Sequence, residues 1–310
     1  MSTQATQARQ PAPPHELALP SRVDLALIVV AVGAVATSGP LIAATAAPAL
    51  AVAFWRNGLA AALMAPFTLL RRRDQVRALR RPQWRLIAVA GVLLAAHFAT
   101  WITSLRFTSV ATSTALVATQ PVWAGLFARA RGARISRMAW IGIAITVVAA
   151  MLLTGLDVRL SGRAVVGDVL ALVGGVLAAG YVTAGAAIRR TVDTATYTTL
   201  CYSITALVLV IACVVGRQHL SGYSGWDWLR IAALTGGAQL LGHSVFNRVL
   251  KTTSATVVSL SILFEVPGAT VIAAIWLHQS VRAAQVPAAL LLLLGLAVVI
   301  RSGGRAVPAE

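Results

Sequence analysis

Residues 165–187 read VVGDVLALVGGVLAAGYVTAGAA, a run broken by a single charged side chain, Asp168. A stretch this long and this apolar matches the roughly 20 residues that carry an α-helix across the hydrocarbon core of a bilayer. Its small residues, among them Gly174, Gly175, Ala178, Ala179 and Gly180, would let helix backbones approach closely with no large side chains between them. Working outward, similar runs centre on roughly 25–46, 50–70, 84–104, 109–128 and 138–156 before it, and roughly 197–215, 228–247, 254–276 and 284–300 after it. The runs are too long and too continuously apolar for the alternating strands of a barrel, and backbone groups in lipid must be satisfied within the segment. The expected fold is therefore an all-α membrane protein of ten transmembrane helices.

Composition agrees. The chain is 58% hydrophobic and 11% charged, with a mean hydropathy of +0.80, whereas an ordinary soluble domain carries roughly 25% charged residues. Several linkers are a few residues long, as from Ala46 to Ala49, so consecutive helices are antiparallel neighbours in one bundle with no soluble domain between them. Residues 1–22 are rich in Gln, Pro, Thr and Ala and lack the apolar core of a secretory signal, so they are expected to be a disordered cytoplasmic tail, with the following run retained as the first span.

The formal net charge of +17 invites a nucleic-acid reading, because basic patches neutralise phosphates. Placement argues against it. The cations crowd the short links, most densely at Arg71, Arg72, Arg73, Arg77, Arg80, Arg81 and Arg85, where cytoplasmic retention of positive charge puts them and where anionic lipid can meet them. With a cytoplasmic amino terminus, all but Arg56, Arg106, Arg159, Arg163, Arg217, Arg230 and Arg282 of the 26 Lys and Arg fall on the cytoplasmic side. Both termini should then face the cytoplasm, in an inner or plasma membrane. Cys201 and Cys213 share one span and cannot bridge each other; no Cys/His spacing suggests zinc, so no metal and no cofactor are expected.

Sliding the sequence on itself by 145 positions brings Arg106-Phe107-Thr108-Ser109 onto Lys251-Thr252-Thr253-Ser254 and Gln120-Pro121 onto Glu265-Val266. Upstream, Ala95-Ala96-His97 corresponds to Leu241-Gly242-His243 with one residue gapped. Each copy thus has a His on its third helix and a polar kink on its fourth. Five helices is an odd number, so the second copy enters the membrane from the opposite face: the chain reads as two inverted five-helix repeats, residues 23–157 and 163–301, followed by a tail at 302–310. Inverted repeats supply two nearly equivalent packings that exchange which side of a central site is open.

In these features the chain resembles the drug/metabolite transporter superfamily, specifically its EamA-type ten-helix exporters. The resemblance covers nearly the whole chain and is carried by Ala53-Phe54-Trp55-Arg56, by His97-Phe98-Ala99-Thr100-Trp101 with Leu105-Arg106-Phe107-Thr108-Ser109, by Leu241-Gly242-His243 with Asn247, and by Ser254-Ala255-Thr256-Val257-Val258 running into Phe264-Glu265-Val266-Pro267. It implies export of small metabolites, amino acids or drug-like solutes by alternating access. The sequence departs from the family pattern at Gln120, where many relatives have Glu, and at Ala133-Arg134 and His278-Gln279, where a Gly-Glu pair often closes the helix. Those departures weaken any inferred ion coupling.

Glu265 is the acid nearest the middle of a span; Asp24 and Asp168 fall at span ends, where water is expected to reach them. Desolvation at such a depth penalises a carboxylate, which suits Glu265 to exchanging a proton with solute. The competing reading is that Glu265, two residues before Pro267, bonds a carbonyl freed by the proline. Ser38, Trp55, His97, Thr100, Trp101, Gln120, Trp123, Tyr181, His243 and Asn247 are the expected lining of a central cavity with apolar walls and a few hydrogen-bonding groups. His97 and His243 could instead bond across helices, and Trp55, Trp101, Trp226 and Trp228 could be interfacial anchors, a reading favoured for the last two. Arg56 is expected to snorkel to headgroups, and Pro40 and Pro121 to break helices beside the cavity. No Walker-type Gly-x-x-x-x-Gly-Lys run is present. The expected activity is secondary transport of a small-molecule solute by a monomer or homodimer. The alternatives are an uncoupled facilitator of the same fold and a lipid-modifying membrane enzyme, the latter disfavoured because no acid or His cluster marks one membrane face.

Overall fold

The computed structural model describes residues 21–158, 161–189, 191–242, 245, 246, 249 and 255–303. Among these the chain is helical throughout: α1 (Arg22–Ala36), α2 (Ser38–Ala44), α3 (Ala49–Arg71), α4 (Arg73–Arg77), α5 (Arg81–Ser104), α6 (Val110–Val117), α7 (Gln120–Ala130), α8 (Arg137–Val158), α9 (Gly162–Ile188), α10 (Thr194–Val215), α11 (Gly225–Ala233), a π-helical stretch (Leu234–Gly242), α12 (Ala255–Ile262), α13 (Glu265–Trp276) and α14 (Gln285–Gly303). Among the described residues six helical units are long and apolar enough to cross a membrane: Arg22–Ala44, Ala49–Arg71, Arg81–Ser104, Gly162–Ile188, Thr194–Val215 and Gln285–Ser302. Arg137–Leu152 and Leu260–Trp276 are shorter apolar helices. Large apolar side chains face outward along them, as at Leu70 (78% exposed) and Ile275 (74% exposed). In water such a surface would drive aggregation, whereas lipid solvates it.

Polar residues mark where the helices start. Ser21, Ser109, Ser161 and Ser224 each accept from a backbone N–H in the first turn that follows, and Asp193 does the same for α10. These caps satisfy donors that no intrahelical carbonyl can reach. Three apolar units are broken in the middle. The α1–α2 unit breaks at Thr37, three residues before Pro40, and α6–α7 at Ala118–Thr119, directly before Gln120-Pro121. The α12–α13 unit breaks at Leu263–Phe264, directly before Glu265 and Pro267. A proline has no N–H for the preceding turn, so each break falls where the ladder loses a donor.

The shift of 145 read from the sequence also maps the helices. It carries Ala49, the start of α3, onto Thr194, the start of α10; it carries Val110–Val117 onto Ala255–Ile262; and it carries Gln120 onto Glu265. Packing follows the same correspondence. α3 packs along its counterpart α10 and α8 along its counterpart α14, while α5 packs on α9 and α1 on the π-helical stretch, the same pairing with the copies exchanged. At the α8–α14 contact, a Cβ placed on Gly142 would lie 2.8 Å from the Gly295 carbonyl oxygen, so the backbones touch where both residues lack side chains.

The loops gather at two ends. At one end Arg106 donates to the carbonyls of Thr45 and Ala47 (2.7 and 2.6 Å), and the Ala46 N–H donates to Asp227 (2.9 Å). There too the Trp55 indole donates to the Leu220 carbonyl (2.9 Å) and the Val110 N–H to Gln279 (3.1 Å). At the other end Gln83 donates to Thr191 (3.1 Å) beside the exposed arginines of 71–81. Arg163, at the start of α9, reaches the Arg106 carbonyl at 3.5 Å, while α2 ends beside Thr45 at that same end of the bundle.

Candidate functional site

A buried polar cluster occupies the middle of the bundle, and its principal member is a residue expected at the surface. Arg56 lies seven positions into α3, about two turns from its start, and is 2% exposed. The expectation that it snorkels outward is therefore corrected. The mouth of α3 is roofed by the 218–224 loop and α11, through the Trp55–Leu220 hydrogen bond and an edge-on contact of Trp55 with Trp228 (5.0 Å between ring centres).

Its partners come from three elements. The Arg56 Nε donates to Gln239 Oε1 at 2.6 Å; Gln239 Nε2 donates to Asn57 Oδ1 at 3.1 Å; and Asn57 Nδ2 donates to the Ala53 carbonyl at 2.8 Å. Gln239 reaches this position from the π-helical stretch, whose wider turn shifts side chains relative to an α-helix and which recurs at functional sites. The Arg56 guanidinium also lies 4.3 Å above the Phe98 ring, a cation–π contact. Glu265, in the first turn of α13 and partly buried, lies within electrostatic range of Arg56 but forms no ion pair with it. Among the described residues nothing hydrogen-bonds the Glu265 carboxylate, and the carbonyl-satisfying bond weighed from the sequence is absent. Its position in a first turn is one that the helix dipole favours for an acid.

A second group adjoins the first through Phe98. His97 Nδ1 pairs with the Gly174 carbonyl of α9 at 2.9 Å, and its ring stacks near-parallel on Trp101 (5.8 Å, 14°). Thr100 bonds back to Ala96 and His97 of its own helix. Trp101 is buried, not interfacial, and among the described residues its indole N–H has no partner. Trp123 donates to Thr119 (3.1 Å), whose hydroxyl lies beside Gly175. His97, Thr100, Trp101 and Trp123 are thus brought together around the Gly174–Gly175 face of α9, while Gln120 begins α7 next to Thr119.

The other expected residues lie apart. Tyr181 sits seven positions beyond Gly174 on α9, packed near Tyr197 and Tyr202. Ser38 is buried at the α1–α2 break. Trp55 belongs to the roofed mouth with Trp228 and Tyr223, so Trp228 is no free interfacial anchor, whereas Trp226 is 69% exposed, as an anchor would be. His243 and Asn247 lie outside the described residues. Asp168, expected to meet water, is fully buried (0% exposed), because the 105–109 turn packs against α9 there and a Cβ on Gly167 would lie 2.8 Å from the Thr108 nitrogen. Cys201 and Cys213 are buried and free. Among the described residues no group of three or more His, Cys, Asp or Glu could hold a metal.

Two recesses open at the ends of the bundle. One, of about 440 Å³, lies between Gln83, Arg189 and Asp193; the other, of about 320 Å³, lies between Pro48, His219 and Asp227. Neither is lined by the Arg56 cluster. Asp227, at the second recess, is opposed by burial, but the Ala46 N–H, the Ser224 hydroxyl and Arg230 (3.1 Å) outweigh that effect and hold its carboxyl below the ordinary value.

The model of the EamA-like transporter family matches the chain twice, over residues 23–155 and 165–301. A solved crystal structure described only as "Crystal structure of protein" superimposes with a TM-score of 0.63 at 18% identity, covering 93% of this chain and 100% of that one, so the two share a fold. No curated protein matches significantly.

Proposed function

The chain belongs to the EamA-like transporter family of multi-pass membrane proteins, and on that premise we propose that it is a secondary exporter of small metabolites, amino acids or drug-like solutes. In this reading ten spans form two inverted five-helix halves, residues 23–157 and 163–301, that rock about the buried polar cluster. The observation that carries it is the shared 145-residue register, which places a helix break at Ala118–Thr119 and again at Leu263–Phe264. Helices broken at matching points of two repeats are how such carriers offer backbone and side-chain groups to a solute within the membrane. The gathering of Arg106, Arg163, Thr45 and Asp227 at one end, with the dense 71–85 arginines at the other, supports cytoplasmic termini and an inner or plasma membrane.

The solute path in this reading is the one expected from the sequence, past Ser38, Trp55, His97, Thr100, Trp101, Gln120, Trp123 and Tyr181, with His243 and Asn247, which lie outside the described residues, as its further expected lining, and Glu265 carries the coupling proton. Support for the last role is its placement at the second break, within range of the Arg56 cation, with no hydrogen bond to occupy it among the described residues. Solute flux in proteoliposomes with an imposed pH gradient tests it. Glu265→Gln should transport with no response to the gradient; a variant that keeps the full response contradicts the role. A facilitator with no coupling draws on Gln120, which is neutral where the register matches Glu265. Counterflow without any gradient is common to both readings, and accumulation against a solute gradient belongs to the coupled one alone.

A further inference from the structure

Arg56 is held in one orientation and left incomplete. Gln239 fixes its Nε, Asn57 fixes Gln239, and Phe98 covers one face of the guanidinium. Nη1 is buried and, among the described residues, has no hydrogen-bond partner. Such an unmet charged donor is costly in a low-dielectric interior, and in native proteins it calls for an explanation such as a ligand that completes it. A second unmet donor, the Trp101 indole N–H, lies on the same wall one turn beyond Phe98. The register of 145 maps Arg56 onto Cys201, so the cation has no equivalent in the second repeat.

We propose that Arg56 is the receptor for the carboxylate of an organic acid solute, with Phe98, Trp101 and the His97 ring as the apolar wall for its body. This rests on the transporter reading above and narrows it to a substrate class. A guanidinium presents N–H donors in a planar fork that matches the two oxygens of a carboxylate. A single cation with the Glu265 carboxyl in range cannot balance a dianion in so dry a site, so a monocarboxylate fits and a phosphate monoester does not.

The test uses the purified full-length chain and matched pairs of probes: 3-phenylpropionate, indole-3-acetate and 4-methylpentanoate, each against its primary amide. Ligand-dependent thermal stabilisation is read for wild type, Arg56→Gln and Arg56→Lys. The acids should stabilise the wild type and the amides should not. Arg56→Gln should bind the acids at least about tenfold more weakly, as expected for loss of a charged hydrogen bond, and Arg56→Lys should fall between. A merely structural arginine would lower stability without changing the ratio of acid to amide binding. Amides that stabilise as well as acids, or Arg56→Gln with undiminished acid binding, overturn the proposal. If Arg56→Gln does not fold, the acid-to-amide ratio of the wild type decides. Counterflow of the same acids beside neutral nucleosides and cationic dyes separates the two levels. Flux of the latter without acid binding ends the carboxylate assignment and leaves a transporter, whereas flux of no solute ends the transporter reading itself.

Discussion

Gln239 joins a cation to a neutral amide at the centre of an apolar bundle, accepting from Arg56 and donating to Asn57. Gln239→Leu removes both partners at once. The variant should lose about 2 kcal/mol or more, because a hydrogen bond to a charged group disappears and buried polar atoms are stranded; a lowered midpoint of thermal unfolding in detergent checks it. Asp227 offers a pH-dependent counterpart among the loops at one end of the bundle. Its carboxyl is held below the ordinary 3.8, so the unfolded chain binds the proton more readily than the folded one. The contribution of its hydrogen bonds to Ala46 and Ser224 is therefore complete above about pH 5 and is lost as pH falls through the folded-state value. Asp227→Asn should flatten the acid limb of the stability profile; an unchanged limb would mean that the clamp contributes nothing. At this scale the sequence was a partial guide. His97, Thr100, Trp101 and Trp123 were legible as polar and aromatic interruptions of apolar runs. The depth of Arg56 is not legible, because the length of a helix from its cap does not reveal that a loop from residues 218–224 closes over its mouth. Asn57 and Gln239, both polar within apolar spans, are the sequence signal for the cluster.

In the proposed mechanism the helix breaks are the moving elements, and their positions are largely written in the prolines. Pro40, Pro121 and Pro267 each follow a break within three residues or fewer, where the chain lacks the N–H to continue. Pro121→Ala restores that donor. The expected result is a continuous α6–α7 helix that folds at least as stably and transports more slowly, read as a raised unfolding midpoint with reduced initial flux; unchanged flux would show that the break is not a moving part. The α8–α14 contact is the opposite kind of element, one that must stay close. Gly295→Val sets side-chain atoms against backbone, since a Cβ at that position already lies 2.9 Å from the Gly142 carbonyl oxygen. Overpacking of this sort costs about 1–3 kcal/mol and should appear as a lower unfolding midpoint. The π-helical stretch at Leu234–Gly242 lies inside one of the apolar runs of the sequence, whose hydropathy does not distinguish a π-helix from an α-helix.

Across the whole molecule the backbone register is repeated while the charges of the buried cluster, Arg56 and Glu265, are not. The 145-residue register, first visible as Gln120-Pro121 over Glu265-Val266, extends to the ends of the helices and to the way they pair. Arg56 maps onto Cys201 and Glu265 onto Gln120, so one cation and one acid stand in a frame that is otherwise duplicated. Two packings of such a frame would be equivalent in shape and unequal in electrostatics, which gives a bound charge leverage over the equilibrium between them. Burial of Asp168 was not legible because it depends on the 105–109 turn packing across α9. The central claim is that the second half lies upside down relative to the first, and impermeant maleimide labelling of single-cysteine variants in intact cells tests it most directly. Cys201 and Cys213 are buried, so they are replaced or remain silent. Ala133→Cys and Ser280→Cys sit at exposed positions after α7 and after α13, which in the proposed ten-span arrangement end the fourth span of each half. Labelling of Ser280→Cys from outside, with Ala133→Cys reacting only after permeabilisation, is the predicted result; labelling of both from the same face would contradict it.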